Sequence, residues 1–279
     1  MTSPQHRRVA EALARLGESL GFVSLLEARL GTGQYRAIHD VAWLLPLEGE
    51  SARAPCIEEL AVEHRGRMLL PVVVFEVTGV DASSKTLIAE LGLSWRSGAG
   101  LAVVVAPDAP FDRNRKSTGM HYERAKRVAR LYSLLHPARA VGAMSHASVL
   151  SHEELHLPPS EPRVVVEREY TPIFVARSMG RRMVRTDMAL VARGLKGLES
   201  LIEKLGWLSR PLEGSLELVG IEIERRTGSK HLAGSIVLLS SIYPRGALVV
   251  PRGRLEEARR LASSLGSGSI IVCEGEFSL

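Results

Sequence analysis

Apolar residues at positions 9, 13, 16 and 20 recur at helical spacing with charges between them. Residues 5–20 (HRRVAEALARLGESLG) are therefore predicted as an amphipathic helix, with Ser3 and Pro4 as a suitable start. Residues 22–30 and 35–45 read as two strands joined by a Gly31-Thr32-Gly33-Gln34 turn, a β-hairpin. The stretch 46–66 is polar, carries Pro46, Gly49 and Pro55, and reads as an irregular insertion. LLPVVVFEV at 69–77 is a continuous apolar run of strand length, the pattern of a central strand covered on both faces. A helix over 83–95, a buried strand over 101–105, a basic amphipathic helix over 122–135 and a strand over 140–148 follow.

Residues 151–162 (SHEELHLPPSEP) hold three prolines and little that could pack, which puts a linker there between domains 1–150 and 163–279. Beyond it, 164–170 is strand-like. Asp187 is read as the cap of a long helix running to about residue 205. Strands over 216–223, 247–250 and 269–273 then alternate with helices over 229–240 and 255–265. The two halves match. VVVFEVTG, a helix from Ser84-Lys85 and GLAVVVAP have counterparts in LVGIEIER, a helix from Ser229-Lys230 and GALVVP. Glu76 aligns with Glu222, Lys85 with Lys230 and Pro107 with Pro251, which points to an internal duplication.

Composition narrows the class. An apolar fraction of 45% with 24% charged residues is that of a folded protein, and no apolar run is long enough to span a bilayer. Residues 1–8 lack the apolar core of a signal peptide, so a cytoplasmic protein is expected. Cys56 and Cys273 are too few for a disulfide framework or a Cys-based zinc site, and their low number fits a reducing cytoplasm. Only six of the 36 basic residues are lysine, and Asn and Gln together number three. Scarce thermolabile amides mark heat-adapted proteins, so a thermophilic source is expected. The arginine excess reads first as genomic base composition. The net charge of +5 permits contact with a polyanion and is spread over both halves.

The chemistry-bearing candidates are acids on strands. Asp40 lies within IHDVAWLL and Glu76 within VVVFEVTG, both flanked by apolar residues. A carboxylate there is costly unless it is ion-paired or holds a metal. Two on neighbouring strands could share Mg²⁺, which would activate a water and stabilise charge on a phosphate. Lys85, at the start of the next helix, could orient that water. In the second half, Glu222 and Glu224 alternate on one face, and Lys230 follows. Such a pair favours a cation or a basic partner; the alternative is a solvated face balanced by Arg225 and Arg226. His146, His152 and His156 straddle the linker at spacings that match no zinc motif. Phosphate-loop, dinucleotide and nucleophile-elbow motifs are absent.

The order helix, hairpin with Asp40, strand with Glu76, helix, strand resembles the core of the PD-(D/E)xK, or restriction-endonuclease-like, nuclease superfamily. FEVTGVDASSKTLIAELGLS is similar to the FEVE-x-(S/T) segment of its less typical members. GIEIERRTGSKHLAGSIVLLS resembles the branch in which an E-x-E pair replaces E-x-K. The resemblance covers about residues 5–145 and, less completely, 187–274. It implies an α/β fold of two such domains, mixed central sheets flanked by helices, in a Mg²⁺- or Mn²⁺-dependent deoxyribonuclease. It also implies catalytic and metal-binding roles for Asp40 and Glu76, and for Glu222 and Glu224, with Lys85 and Lys230 assisting. Two departures stand out. Thr78 occupies the family's lysine position, and the second half has no evident hairpin carrying an acid. The second half is thus expected to be a degenerate copy that binds or dimerises without cutting, a homodimer contact among its roles.

Two basic stretches suit DNA as the partner. Residues 113–130 include Arg113, Arg115, Lys116, Arg124 and Arg127, and residues 177–196 include Arg181, Arg182 and Arg185. Either could track a phosphate backbone, and either could be a solvated arginine-rich face. The runner-up function is a catalytically inactive nuclease-like protein that binds DNA or a protein. A metabolic α/β enzyme comes third.

Overall fold

The computed structural model describes residues 3–31, 36–79, 82–108, 121–173, 184–208, 212–225, 228–265 and 269–275. The chain opens with helix α1 (Pro4–Ser19), whose N-cap Ser3 accepts a hydrogen bond from the His6 amide. Strands β1 (Val23–Leu30) and β2 (Ala37–Pro46) pair antiparallel as the expected hairpin. The insertion is more ordered than its composition suggests. It holds a short helix α2 (Ile57–Leu60) and a strand β3 (Val62–His64) that pairs with β4 (Arg67–Val77). Then come α3 (Ser84–Arg96), β5 (Leu101–Ala106), α4 (His121–Leu135), β6 (Ala140–Ser145) and α5 (His146–Leu150).

The second half runs β7 (Arg163–Tyr170), β8 (Thr186–Arg193), α6 (Lys196–Leu205), β9 (Gly206–Leu208) and β10 (Ser215–Ile223). It ends with α7 (Ser229–Ile242), β11 (Arg245–Val250), α8 (Leu255–Ser264) and β12 (Ile270–Glu274).

One expectation is overturned here. Residues 187–205 are not a single helix capped by Asp187: 186–193 form β8, and only 196–205 are helical. Met, Ala and Leu favour a helix locally, but Gly194 breaks it. Its φ is +75°, and a Cβ there would lie 2.3 Å from the Glu161 carbonyl oxygen. The strand pairs with β7 and β10 on its two sides, and these ladders override the local propensity.

The protein is an α/β molecule with two mixed sheets flanked by helices. The first has the order β1-β2-β4-β5-β6-β9, and the second β12-β11-β10-β8-β7. In both, an antiparallel hairpin is followed by a third antiparallel strand, then two parallel strands reached through helices. β9 comes from the second half but joins the first sheet, antiparallel to β6. One core spans both sheets: Trp43, Phe75 and Val103 belong to the same buried cluster as Leu190, Leu218 and Val249. The Trp43 indole N–H donates to the Leu13 carbonyl at 3.0 Å and ties α1 into that core. Outside, α3 and α4 cover the first sheet, and α7 and α8 the second.

Two further links join the halves. Arg245 at the start of β11 is fully buried, and its Nη2 donates to the Ser97 carbonyl at 2.6 Å. Gly98 has φ +85°, and a Cβ on it would lie 1.7 Å from the Arg245 Nε, so only glycine admits this crossing. The second link is covalent. Cys56 and Cys273 form a disulfide, a pairing not expected from the low number of cysteines. Such bonds persist in oxidising compartments and in intracellular proteins of hyperthermophiles. No helix among the described residues is long and apolar enough to cross a membrane.

Candidate functional site

Each sheet carries the same acidic frame. In the first, Val41 of β2 pairs with Phe75 of β4, which sets Asp40 beside Glu76. The Val77 amide donates to Asp40 Oδ2 at 2.7 Å, and the Thr78 amide to the Val105 carbonyl at 2.8 Å. In the second, Met188 of β8 pairs with Ile221 of β10, which sets Asp187 beside Glu222. The Ile223 amide donates to Asp187 Oδ2 at 2.7 Å, and the Glu224 amide to the Val249 carbonyl at 2.9 Å. Asp187 is therefore the counterpart of Asp40 on a hairpin strand, and the expected lack of such an acid in the second half is corrected. Its signal was in the sequence: DVAWLL at 40–45 and DMALVA at 187–192 share Asp, then Ala two positions on, then apolar residues.

The frames are alike and their surroundings differ. In the first half, buried His39 contacts the Glu76 carboxylate through Nδ1 and Ser97 Oγ through Nε2 at 2.6 Å. Ser97 Oγ donates its proton to the Leu93 carbonyl at 2.9 Å, so it must accept from His39 Nε2–H. His39 Nδ1 and Glu76 then share one proton. The order serine, imidazole, carboxylate is that of a nucleophilic triad, but Ser97 is buried and its proton is committed to a carbonyl. Burial raises the Glu76 pKa, His39 opposes the rise, and Asp40 adds to it. Asp40 Oδ1 in turn meets His6 Nε2 at 3.2 Å. Glu90 on α3, missed in the sequence, faces the same acids: burial, Glu76 and Asp40 push it up to about 7. Its Oε2 is buried with no hydrogen-bond partner among the described residues.

In the second half, burial, then the charges of Asp187 and Glu224, push Glu222 up to about 8. A hydrogen bond to Asp187 adds to the rise, and Glu222 Oε1 is buried with no hydrogen-bond partner among the described residues. Thr186 occupies the place of His39, and its hydroxyl meets the Tyr243 hydroxyl at 2.8 Å. Among the described residues, Glu222 has no imidazole partner as Glu76 has in His39.

Lys85 and Lys230 are exposed, each the second residue of its helix, α3 and α7. The hydrogen-bond partners of Glu76 are His39 and Ser94, not Lys85. Among the described residues, no group of three or more His, Cys, Asp or Glu side chains is gathered as a metal site. Of the basic residues, Arg124 donates to the Ala82 carbonyl at 3.2 Å, Arg127 is exposed, and Arg185 pairs with Glu169 at 3.4 Å. Arg113, Arg115, Lys116, Arg181 and Arg182 lie outside the described residues. His146 is buried, with Nε2 at 3.3 Å from the Val105 carbonyl, and His152 with Nδ1 at 2.8 Å from the Val149 carbonyl; both are core histidines.

No protein-family model matches the chain, and no curated protein matches its sequence.

Proposed function

We propose that this chain is a Mg²⁺- or Mn²⁺-dependent deoxyribonuclease of the PD-(D/E)xK kind, with its cation site on the second sheet, at Asp187 and Glu222, with Glu224 beside them. The observation that carries the reading is the crowding of Glu222. Glu222 lies opposite Asp187 across the ladder, and its burial with the charges of Asp187 and Glu224 favours a proton on it that a hard cation would displace. Magnesium keeps several waters and needs only one or two protein carboxylates, so the donor set fits it. A bound cation would supply charge neutralisation at the phosphate and an activated water. Asp187 is fixed by the Ile223 amide, which orients its carboxylate before any ion arrives. Glu224, the E-x-E partner, adds charge from two residues along the strand.

The first half is the non-cutting copy, the reverse of the expected division of roles. Its Glu76 is already engaged by His39 and its Asp40 by His6, so a cation there must displace existing contacts. That same observation favours, for the first half alone, the alternative of a nuclease-like domain that only binds. The repeated order hairpin, strand, helix, strand, helix, strand supports descent of both halves from one unit of this kind.

The test is incubation of purified full-length protein with supercoiled, linear duplex and single-stranded DNA in Mg²⁺ or Mn²⁺. Cleavage that Glu222→Gln abolishes and Glu76→Gln spares is expected. No cleavage of any form with either ion, or cleavage indifferent to Glu222→Gln, overturns the reading.

A further inference from the structure

The two sheets secure their last strands differently. In the first, β6 lies between β5 and β9, with hydrogen-bond partners on both sides. Its counterpart β12 pairs only with β11 among the described residues, over five residues. Where the first sheet has a strand, the second has a covalent bond. Cys273 of β12 is joined to Cys56, 217 residues earlier, with Cα atoms 5.9 Å apart. That separation lies in the ordinary range for disulfides. Cys56 is the N-cap of α2, within the insertion, and has φ +59°. Ala54, Ile57 and Leu60 around it are buried in the core common to both sheets, and Glu50 pairs with Arg168 of β7 at 2.8 Å. The insertion is thus seated on the second half by side chains of its own. Among the described residues β12 has one neighbouring strand, the burial of Ile270 and Val272 under α7 and α8, and the disulfide.

We propose that Cys56–Cys273 is a redox-sensitive latch that holds β12 on the second sheet and that a dithiol opens. One thiolate of the dithiol attacks a sulfur of the bond, and the other cysteine sulfur departs as a thiolate. The second thiol of the reagent then displaces the remaining cysteine from the mixed disulfide. Two electrons pass to the protein, two cysteine thiols form, and the dithiol becomes a cyclic disulfide. Both cysteines are half-buried rather than sealed in the core, which leaves the bond within reach of a small reductant. Opening is felt along one row of the sheet, because Cys273 lies opposite Val249, and Val249 opposite Ile223, next to Glu222. The latch does not depend on the nuclease reading.

The test uses the full chain purified without reductant. Alkylation after unfolding is expected to label neither cysteine, and after dithiol treatment both. Hydrogen exchange of native protein is expected to quicken over 270–274 on reduction by about tenfold or more beyond any change over 101–106 and 140–145. The melting temperature is expected to fall by about 4–9 °C, as loss of so long a closed loop implies for a chain of this size. The double variant Cys56→Ser, Cys273→Ser should behave as reduced protein and ignore dithiol. Labelling of either cysteine before reduction, or unchanged exchange over 270–274, overturns the latch. Equal acceleration in both sheets also overturns it and makes the bond a global cross-link.

Discussion

The two halves carry one backbone frame and two chemistries. In each, an aspartate near the start of the second hairpin strand accepts the amide of the residue after the strand glutamate, at 2.7 Å in both cases. What differs is the residue before the aspartate. His39 lends the first site a base that shares a proton with Glu76. Thr186 lends the second site none, and Glu222 is left holding its own proton. A repeated strand order keeps the same hydrogen-bond ladders because each sheet needs them, while the side chains facing the acids can differ. Sites in the two copies should therefore be compared by what neutralises the acids, not by the acids themselves.

The largest effect expected from this contrast is on cleavage. Asp187→Asn should lower the rate by about a thousandfold, the loss of a cation's several kcal/mol of charge stabilisation. Asp40→Asn, whose amide oxygen can still accept from Val77, should change it by less than about threefold, since it removes no cation contact. Rates measured side by side on one DNA would break the comparison if the two variants fell together.

The join between halves comes next. Gly98→Ala must force a Cβ into Arg245 at a left-handed φ, and should cost about 2–4 kcal/mol, read as a lower melting temperature. An unchanged melting temperature would mean that Arg245 does not cross there. Burial alone already pulls the Arg245 guanidinium down to about 10, and it stays charged at neutral pH.

Acidity sharpens the contrast further. Glu222 titrates at about 8 in the fold against an ordinary 4.5, so the folded state holds a proton that the unfolded chain has lost between those values. Its contribution to stability is full below about 4.5 and falls as pH rises to about 8. A cation must displace that proton, so Mn²⁺ affinity should rise by up to about tenfold per pH unit through this window and level off above it. Calorimetry in buffers of different ionisation enthalpy would read the released proton, and Glu222→Gln should abolish the slope.

The smallest effect concerns the basic helix α4. Arg127 is exposed, whereas Arg124 is spent on the Ala82 carbonyl. If α4 faces DNA, Arg127→Glu should reduce the salt slope of binding by about 0.9 or more, while Arg124→Met should not. Equal slopes would remove α4 from the interface.

Much of the fold was legible in the chain. Apolar runs at 69–77 and 101–105 became central strands, and residues 5–20 became α1 with Ser3 as its cap, because burial on both faces and helical periodicity leave direct traces. The candidate site was half legible. Asp40 and Glu76 stood out as acids within apolar strands, and Glu222 and Glu224 by their alternation on one strand face. Asp187 did not, since Met, Ala and Leu after it favour a helix, and pairing with both β7 and β10 decided otherwise. Glu90 could not be found, because its meeting with Glu76 depends on how α3 lies over the sheet.

By itself, then, the sequence determined the alternation of strands and helices, the repeated order of elements in the two halves and the positions of most of the acids. These depend on local period and on matching short segments. Only the tertiary structure decided that β9 crosses to the other sheet, that Cys56 meets Cys273, and that His39 meets Glu76. Each of those joins residues far apart in the chain, and the free energy that holds them comes from burial and hydrogen bonds that exist only once both sheets have closed on one core.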